Sequence, residues 1–273
     1  MSLIAEIDRL LRLLESQLPA SMNSPQNLKL ERSFKKSLAE YFEELEQAFP
    51  YRKLGELYFR YVKEVSAPPV TPFSGNEWDD WLEPLIRAFQ ADLLYRVNSH
   101  LAGIYLAGSA QMMSYGRTKL NLPVPFEGPP IGQAVEWANK YCAQLVTRLD
   151  EETKKRLAKV ISDGIANKRG VDGIARDIRK EFKDMSKRRA VTISQTETNQ
   201  ALSQASMDRM HDMGVNGKEW IVDGDERTCP ICMGNAAQGV IPIDQLFQSG
   251  HMQTPGHVNC RCATAPARLN RKD

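Results

Sequence analysis

Four of the five cysteines in this 273-residue chain lie in two short motifs. The first motif is CPIC, which contains Cys229 and Cys232, and the second is HVNCRC, which contains His257, Cys260 and Cys262. Tetrahedral zinc sites use thiolates and imidazoles that two separate turns supply in close pairs. We therefore predict a zinc site at these motifs. Three of its predicted ligands are Cys229, Cys232 and Cys262, and the fourth is either His257 or Cys260, so one donor is spare.

Two other chemistries use cysteines in this arrangement. The two pairs could form disulfides or a redox couple, which requires an oxidising environment. A catalytic thiol is the third possibility, since His257 lies three residues before Cys260. Such a nucleophile also needs an orienting third group, and it gives the CPIC pair no role. The start of the chain, MSLIAEIDRLLRLLESQL, lacks the features of a signal peptide, so we expect reduced thiols and favour the metal.

The composition is that of a globular chain with little net charge. Hydrophobic residues make up 42% of it, charged residues 26%, and the formal net charge is +2. Wholesale disorder is therefore excluded, and any anionic partner must bind a local patch of the surface. The most apolar stretch, LAGIYLAGSAQMM from Leu101, is shorter than the roughly 20 residues of a spanning helix. We predict no membrane span.

The segment before the cysteines has the three- and four-residue periodicity of amphipathic helices. Two or three helices are predicted within residues 1–65, with a loop that starts at Pro19. A long helix is predicted from Trp78 to about Gly116. Four more helical stretches are predicted before residue 215, namely 135–149, 157–165, one with Asp172 as its N-cap, and one that Ser186 caps and Gly214 terminates.

After Gly214 the sequence is rich in turn-forming residues, with short predicted strands at 219–222 and within VIPIDQLF. This unit of about 58 residues has few large aliphatic side chains and cannot be stable by burial alone. We therefore predict a mainly α protein whose helical N-terminal and central regions precede a small α+β unit that zinc holds together. The predicted regions are an N-terminal helical region at 1–65, a Pro/Ser-rich linker at 66–76, a central helical domain at 77–215, and a small Cys/His unit at 216–273.

Two features of the last helices are unusual for a core. Glu197 lies on the same predicted helix face as small and apolar residues, and a buried carboxylate needs a partner. It could accept a hydrogen bond from a ligand histidine or pair with Arg227 or Arg261. The region from Lys168 to Arg189 is locally basic and could make a weak DNA contact, although interleaved acidic residues should reduce its field.

Four motifs follow one another in the second half of the chain. They are RAVTISQTET at 189–198, KEW at 218–220, D-x-D-x-R-T-C-P-x-C at 223–232, and HVNCRC at 257–262. As an ordered set they resemble the phage Mu F-like family of minor head proteins, also called phage head morphogenesis proteins, over about residues 130–267. Val258 stands where that family usually has proline, which leaves every candidate ligand in place.

The resemblance implies a low-copy structural protein of a tailed phage or prophage. Such a protein would be assembled into the head near the portal, with the portal and other head proteins as partners, and would pass through the host cytoplasm during assembly. Its zinc would be structural, and the chain would not be an enzyme. The alternative is a metal-dependent nuclease or nucleic-acid-binding module similar to treble-clef nucleases, in which His257 would serve phosphate chemistry. The CxC spacing of the second pair, in place of CxxC, counts against it.

Overall fold

The computed structural model of the chain describes residues 18–64, 76–122, 128–222 and 228–269. Long helices come first, namely α1 Pro25–Gln47, α2 Tyr51–Glu64, α3 Asn76–Thr118, α4 Ile131–Ala166, α5 Val171–Asp184 and α6 Ala190–Asp212. The elements that follow are β1 Gly217–Ile221, α7 Pro230–Ala237, β2 Ile241–Pro242 and β3 Ala263–Ala267. The predicted fold class, mainly α with a small α+β part after residue 215, is confirmed.

The long helix predicted from Trp78 is confirmed by α3. The two helices predicted at 135–149 and 157–165 are wrong as separate elements, because α4 runs unbroken through both. The polar sequence DEETKK between them suggested a break in the apolar pattern. It contains neither glycine nor proline, and its glutamates and lysines are good helix formers, so the helix continues.

Both predicted serine and aspartate caps are wrong. The N-cap of α5 is Gly170, which makes no side-chain capping bond, and Asp172 lies in the first turn, where its charge favours the helix dipole. Ser186 lies in a π-helical turn, Met185–Arg189, that joins α5 to α6 without a break, and its hydroxyl donates to the Lys183 carbonyl at 3.3 Å. Gly214 has φ +67° two residues after α6, as a terminating glycine should.

The chain divides into two compact units, each made of separate segments. Unit 1 comprises Met1–Lys35, Asn98–Asn139 and Thr192–Asp273, and unit 2 comprises Lys36–Val97 and Lys140–Val191. The predicted boundaries at 65, 76 and 215 remain a prediction of domain organisation. The predicted linker, apart from Asn76, and the predicted helix in the first 17 residues lie outside the described residues.

Unit 2 has an aromatic core and a buried arginine. The Phe49 ring packs against the rings of Tyr51, Trp81 and Phe182 at centroid distances of 4.7, 5.5 and 5.8 Å. Arg189, the first residue of the RAVTISQTET motif, is buried and donates to the Thr153 hydroxyl at 2.6 Å and to a carbonyl of α4. This motif arginine therefore serves the packing of unit 2.

Unit 1 contains the small sheet, the part of α3 from Asn98 onward and the part of α6 from Thr192 onward. Gly108 of α3 lies so close to α6 that a Cβ there would be 3.0 Å from the Leu202 carbonyl oxygen. The strands are antiparallel in the order β2-β1-β3, with Trp220 of β1 opposite Thr264 of β3. The sequence did not predict β3, because ATAPA has small side chains and a proline. Pro266 is tolerated because β3 is an edge strand.

Among the helices of the described ranges, none has a stretch of sufficient length and hydropathy to span a lipid bilayer.

Candidate metal centre

The CPIC motif forms the start of a short helix. Cys229 is the N-cap of α7, with φ −77° and ψ 158°, and Pro230 is the first helical residue, where its missing N–H costs nothing. The Cys229 sulfur accepts a hydrogen bond from the Cys232 backbone N–H at 3.4 Å. This capping geometry turns the two thiols of the motif to the same side.

The HVNCRC motif is a turn followed by extended chain. The Cys260 N–H donates to the His257 carbonyl at 3.2 Å, and Asn259 between them has φ +61°, a left-handed conformation that asparagine tolerates better than most residues. Cys262 comes directly before β3, so Cys260 and Cys262 lie two residues apart in extended chain and share one side. The turn and the extended chain together bring the three donors of this motif near the Cys232 thiol.

All five predicted ligand residues meet in two overlapping groups. Cys229, Cys232 and His257 form one group and Cys232, Cys260 and Cys262 the other, and within each group the donor atoms lie within 4.8 Å of one another. The Cys232 and Cys260 sulfurs are 3.8 Å apart. Zinc with Zn–S bonds of about 2.3 Å in a tetrahedron needs sulfurs about 3.8 Å apart. The arrangement therefore fits a metal ion of this kind.

The cysteines form part of the hydrophobic core around β1. Cys232, Cys260 and Cys262 are buried and cluster with Trp220 and Phe247, among others. The Trp220 and Phe247 rings pack edge to face, with centroids 5.0 Å apart. Three of the six buried members of this cluster are cysteines. The small core thus depends on thiols where larger proteins have aliphatic side chains.

Lys218, the first residue of the KEW motif, is part of the core around β1. It lies two residues before Trp220, on the same face of β1, and is fully buried. Its ammonium group donates to the Met252 carbonyl at 2.7 Å and lies 5.3 Å from the centre of the Phe247 ring. Burial lowers the pKa of Lys218 to about 8. The two motif residues thus enclose Phe247.

The thiols of the cluster form hydrogen bonds with one another, and these shift the pKa values of Cys260 and Cys262 in opposite directions. A hydrogen bond from Cys262 lowers the pKa of Cys260 to about 5 and raises the pKa of Cys262. Burial raises the pKa of Cys232 to about 12. Burial opposes protonation of His257, but its hydrogen bond to the Val258 carbonyl and the nearby thiolates raise its pKa. A divalent cation bound here would replace these protons and allow the remaining thiols to ionise.

Asn199 of α6 holds the cysteine backbone, and the sequence did not reveal this. Its buried amide donates to the carbonyls of Cys260 and Cys262 at 2.8 and 3.0 Å. The Asn199 carbonyl oxygen accepts a hydrogen bond from Ser203 at 3.0 Å, and the Ser203 hydroxyl lies 2.5 Å from that of Thr254. This polar chain fixes where the two cysteines of HVNCRC point.

The neighbouring turn of α6 holds the asparagine of the same motif. The Thr196 hydroxyl accepts from the Asn259 N–H at 3.0 Å, and the Gln195 amide donates to the Asn259 carbonyl at 2.8 Å. Residues 195, 199 and 203 are four apart, so a polar stripe at helical spacing was visible in the sequence. The hypothesis about Glu197 concerned a different face of α6.

The arginine of HVNCRC reaches a segment far away in the sequence. Arg261 donates to the Met22 carbonyl at 2.9 Å and to the Asn23 side chain, and it forms an ion pair with Glu31 at 3.4 Å. Both Arg261 and Glu31 are largely shielded from solvent. Arg261 thereby fixes the loop before α1 and the start of α1 to the cysteine motif.

Three further residues, Glu197, Arg227 and Cys142, are not among the five clustered donors. Glu197 is buried, and its role in supporting the cluster remains a prediction. Arg227 and the rest of 223–227 lie outside the described residues. Cys142 is buried in α4, as a core cysteine should be.

These features define a mainly α-helical protein with a small sheet-containing unit built around cysteine and histidine. Residues 155–265 match the model of a protein family described as Phage Mu protein F like protein. The resemblance predicted from the four motifs is therefore confirmed, and the matched segment includes all five candidate ligands. No curated protein and no solved structure matches the chain in the corresponding comparisons.

Proposed function

We propose that the chain is a minor structural protein of the head of a tailed phage or prophage. The match of residues 155–265 to the Phage Mu F-like family supports this role in head morphogenesis. In this proposal the protein is incorporated near the portal in few copies, contacts the portal and other head proteins, and is made in the host cytoplasm before it enters the virion. It has no catalytic role.

A structural zinc ion in the cysteine cluster is the second part of the proposal. Thiolates in two close pairs, with the Cys232 and Cys260 sulfurs 3.8 Å apart across the pairs, suit tetrahedral zinc. Structural zinc contributes roughly 10–16 kcal/mol of apparent binding free energy at neutral pH, comparable to the whole stability of a domain. Such an ion would stabilise a core that has few aliphatic residues.

Four thiolates make the best ligand set within this proposal. Cys232 belongs to both groups of donors, and the spacing of its sulfur from that of Cys260 already matches a tetrahedral edge. His257 is only partly buried, and its Nδ1 is 2.8 Å from the Val258 carbonyl oxygen. In this set His257 lies outside the metal, beside Cys229, and supports it by hydrogen bonding.

Metal analysis of reduced, purified protein tests the zinc proposal. We expect about one zinc ion per chain, lost in Cys232→Ser and Cys260→Ser but retained in His257→Ala. Cys142→Ser is the matched control, because it removes a buried thiol outside the cluster. Absence of metal, with all the cysteines titrating as free thiols or as disulfides, would contradict the proposal. Loss of zinc in His257→Ala, with Cys260→Ser still loaded, would make His257 the fourth ligand.

Detection in purified particles tests the structural role. We expect mass spectrometry of DNA-filled heads to find the chain at far fewer copies than the major capsid protein, and its deletion to lower the yield of infectious particles. The competing nuclease function is tested separately with plasmid DNA and Mg²⁺, Mn²⁺ or Zn²⁺. Metal-dependent cleavage that disappears in a folded His257→Ala protein would replace the structural role with a catalytic one.

A further inference from the structure

A row of basic side chains follows the outer face of α5 and the turn after it. We call it the basic ridge, and it consists of Arg176, Lys180, Lys183 and Lys187. These residues are four, three and four positions apart, the spacing that places side chains on one helix face. All four are exposed. At 1.5 Å per residue the ridge is about 16 Å long.

The acidic residues that interrupt this sequence lie on a different side of α5. Asp177 pairs with Arg169 at 2.8 Å, Glu181 pairs with Arg156, and Asp184 also pairs with Arg156 at 2.8 Å. All three carboxylates are partly buried. The sequence predicted that these interleaved acids would reduce the field of the basic region. The structure instead separates them, and their charges are already compensated.

The ridge cations are available to a partner. Within the ranges that the structure describes, none of the four side chains forms an ion pair or hydrogen bond with the protein. The exposed carboxylate of α5 is Asp172, which lies in the first turn beyond the end of the ridge. The apolar face of α5 fixes this orientation through its buried residues Ile174, Ile178 and Phe182. In the described part of the chain, no ion pair therefore neutralises the four ridge charges, although Asp172 lies one turn before Arg176 on the same helix face. The whole chain carries a net charge of only +2.

We propose that the basic ridge binds the phosphate backbone of duplex DNA without sequence preference. Phosphates follow one another every 3.4 Å along the axis of each strand, so about 16 Å of ridge spans about five of them. A protein partner would need an apolar or aromatic anchor, and α5 exposes no large hydrophobic side chain. The ridge belongs to unit 2 alone and does not depend on the role of the chain in a phage head.

Salt-dependent binding to a fluorescent duplex of about 30 base pairs tests the ridge in the full-length protein. Four phosphate contacts predict a slope of log K against log salt of about −3.6, or about a 150-fold loss of affinity between 50 and 200 mM salt. The variant with Arg176→Gln, Lys180→Gln, Lys183→Gln and Lys187→Gln should lose nearly all of this slope. Each single change should reduce the magnitude of the slope by about 0.9.

A matched control separates the ridge from net charge. The control variant replaces four exposed cations of α4, also one arginine and three lysines, with glutamine: Lys140, Arg148, Lys155 and Lys159. It should keep most of the slope, and unchanged circular dichroism melts would show that both variants fold. Equal effects of the two variants would overturn the proposal. Failure of the wild type to bind duplex DNA at 50 mM salt would also overturn the proposal. Polyglutamate is a second probe, and if it binds the ridge while DNA does not, the proposal is likewise wrong.

Discussion

Replacing Asn199 with alanine should destabilise the protein more than almost any other single polar change. The Asn199 amide donates to two cysteine carbonyls, and the residue has no exposed surface. Alanine leaves both carbonyls buried without a donor, at about 1–3 kcal/mol each. The expected loss in the free energy of unfolding is therefore about 2–6 kcal/mol. At about 2–4 °C per kcal/mol for a chain of this size, that lowers Tm by about 4–24 °C.

The same change should weaken metal binding. The two carbonyls belong to Cys260 and Cys262, so loss of Asn199 lets both ligands reorient, and loss of such outer contacts typically costs 10- to 100-fold in metal affinity. Competition with a chromophoric chelator measures this, and urea denaturation measures the stability. Asn199→Asp should be worse than Asn199→Ala above about pH 5, because an ionised carboxylate would then face two carbonyl oxygens.

Asn167→Ala is the control for this prediction. Asn167 also donates its amide to a backbone carbonyl, that of Asp163 at 2.7 Å, but at an exposed position. Its loss should cost no more than about 1 kcal/mol, because water replaces the hydrogen bond. If Asn199→Ala loses no more stability than Asn167→Ala and keeps wild-type zinc affinity, then Asn199 does not hold the cysteine motif.

Further predictions concern the helix packing and one buried acid. Gly108→Ala should destabilise by about 1–3 kcal/mol, because its Cβ would meet the Leu202 carbonyl oxygen at 3.0 Å. Gly103→Ala, on an open face of the same helix, should instead stabilise by up to about 1 kcal/mol, so thermal melts that shift in the same direction would refute this packing. Burial raises the pKa of Asp150 to about 6. Because this carboxyl ionises at lower pH in the unfolded chain, the free energy of unfolding of the wild type should fall by about 3 kcal/mol as the pH rises from about 4 to above 6. Asp150→Asn keeps an acceptor for Gln90 and lacks this loss, so its stability relative to the wild type should increase over that range in urea denaturation. A constant difference between the two proteins would contradict the assignment.

Local spacing was sufficient to predict the candidate ligands and the long helix α3. Cys229 and Cys232, or Cys260 and Cys262, are close in sequence, so their proximity within each motif follows from short-range geometry. Their meeting across the motifs was an expectation from chemistry, because zinc needs both pairs. The continuity of α4 through DEETKK could not be read from an apolar pattern, since charged residues continue a helix without adding to that pattern.

The residues that support the cysteine motifs could not be predicted from the sequence, for a different reason. Asn199 is 61 residues from Cys260, and nothing in the local sequence indicates which of two adjacent polar stripes on α6 faces the turn. Strand β3 has weak β propensity and forms because β1 offers it a partner. Arg261 has its partners at the opposite end of the described chain. Such contacts depend on the whole fold, so a single sequence gives no signal for them.

The reach of Arg261 also has a consequence for synthesis. Its bond to the Met22 carbonyl joins residues 239 positions apart. At about 5–20 residues per second, a ribosome makes Arg261 about 12–48 s after Met22. All segments of unit 2 have been made by residue 191, whereas unit 1 still awaits its last segment. The loop before α1 therefore waits through most of translation, and nascent chains interrupted before HVNCRC should be the ones that chaperones and proteases capture.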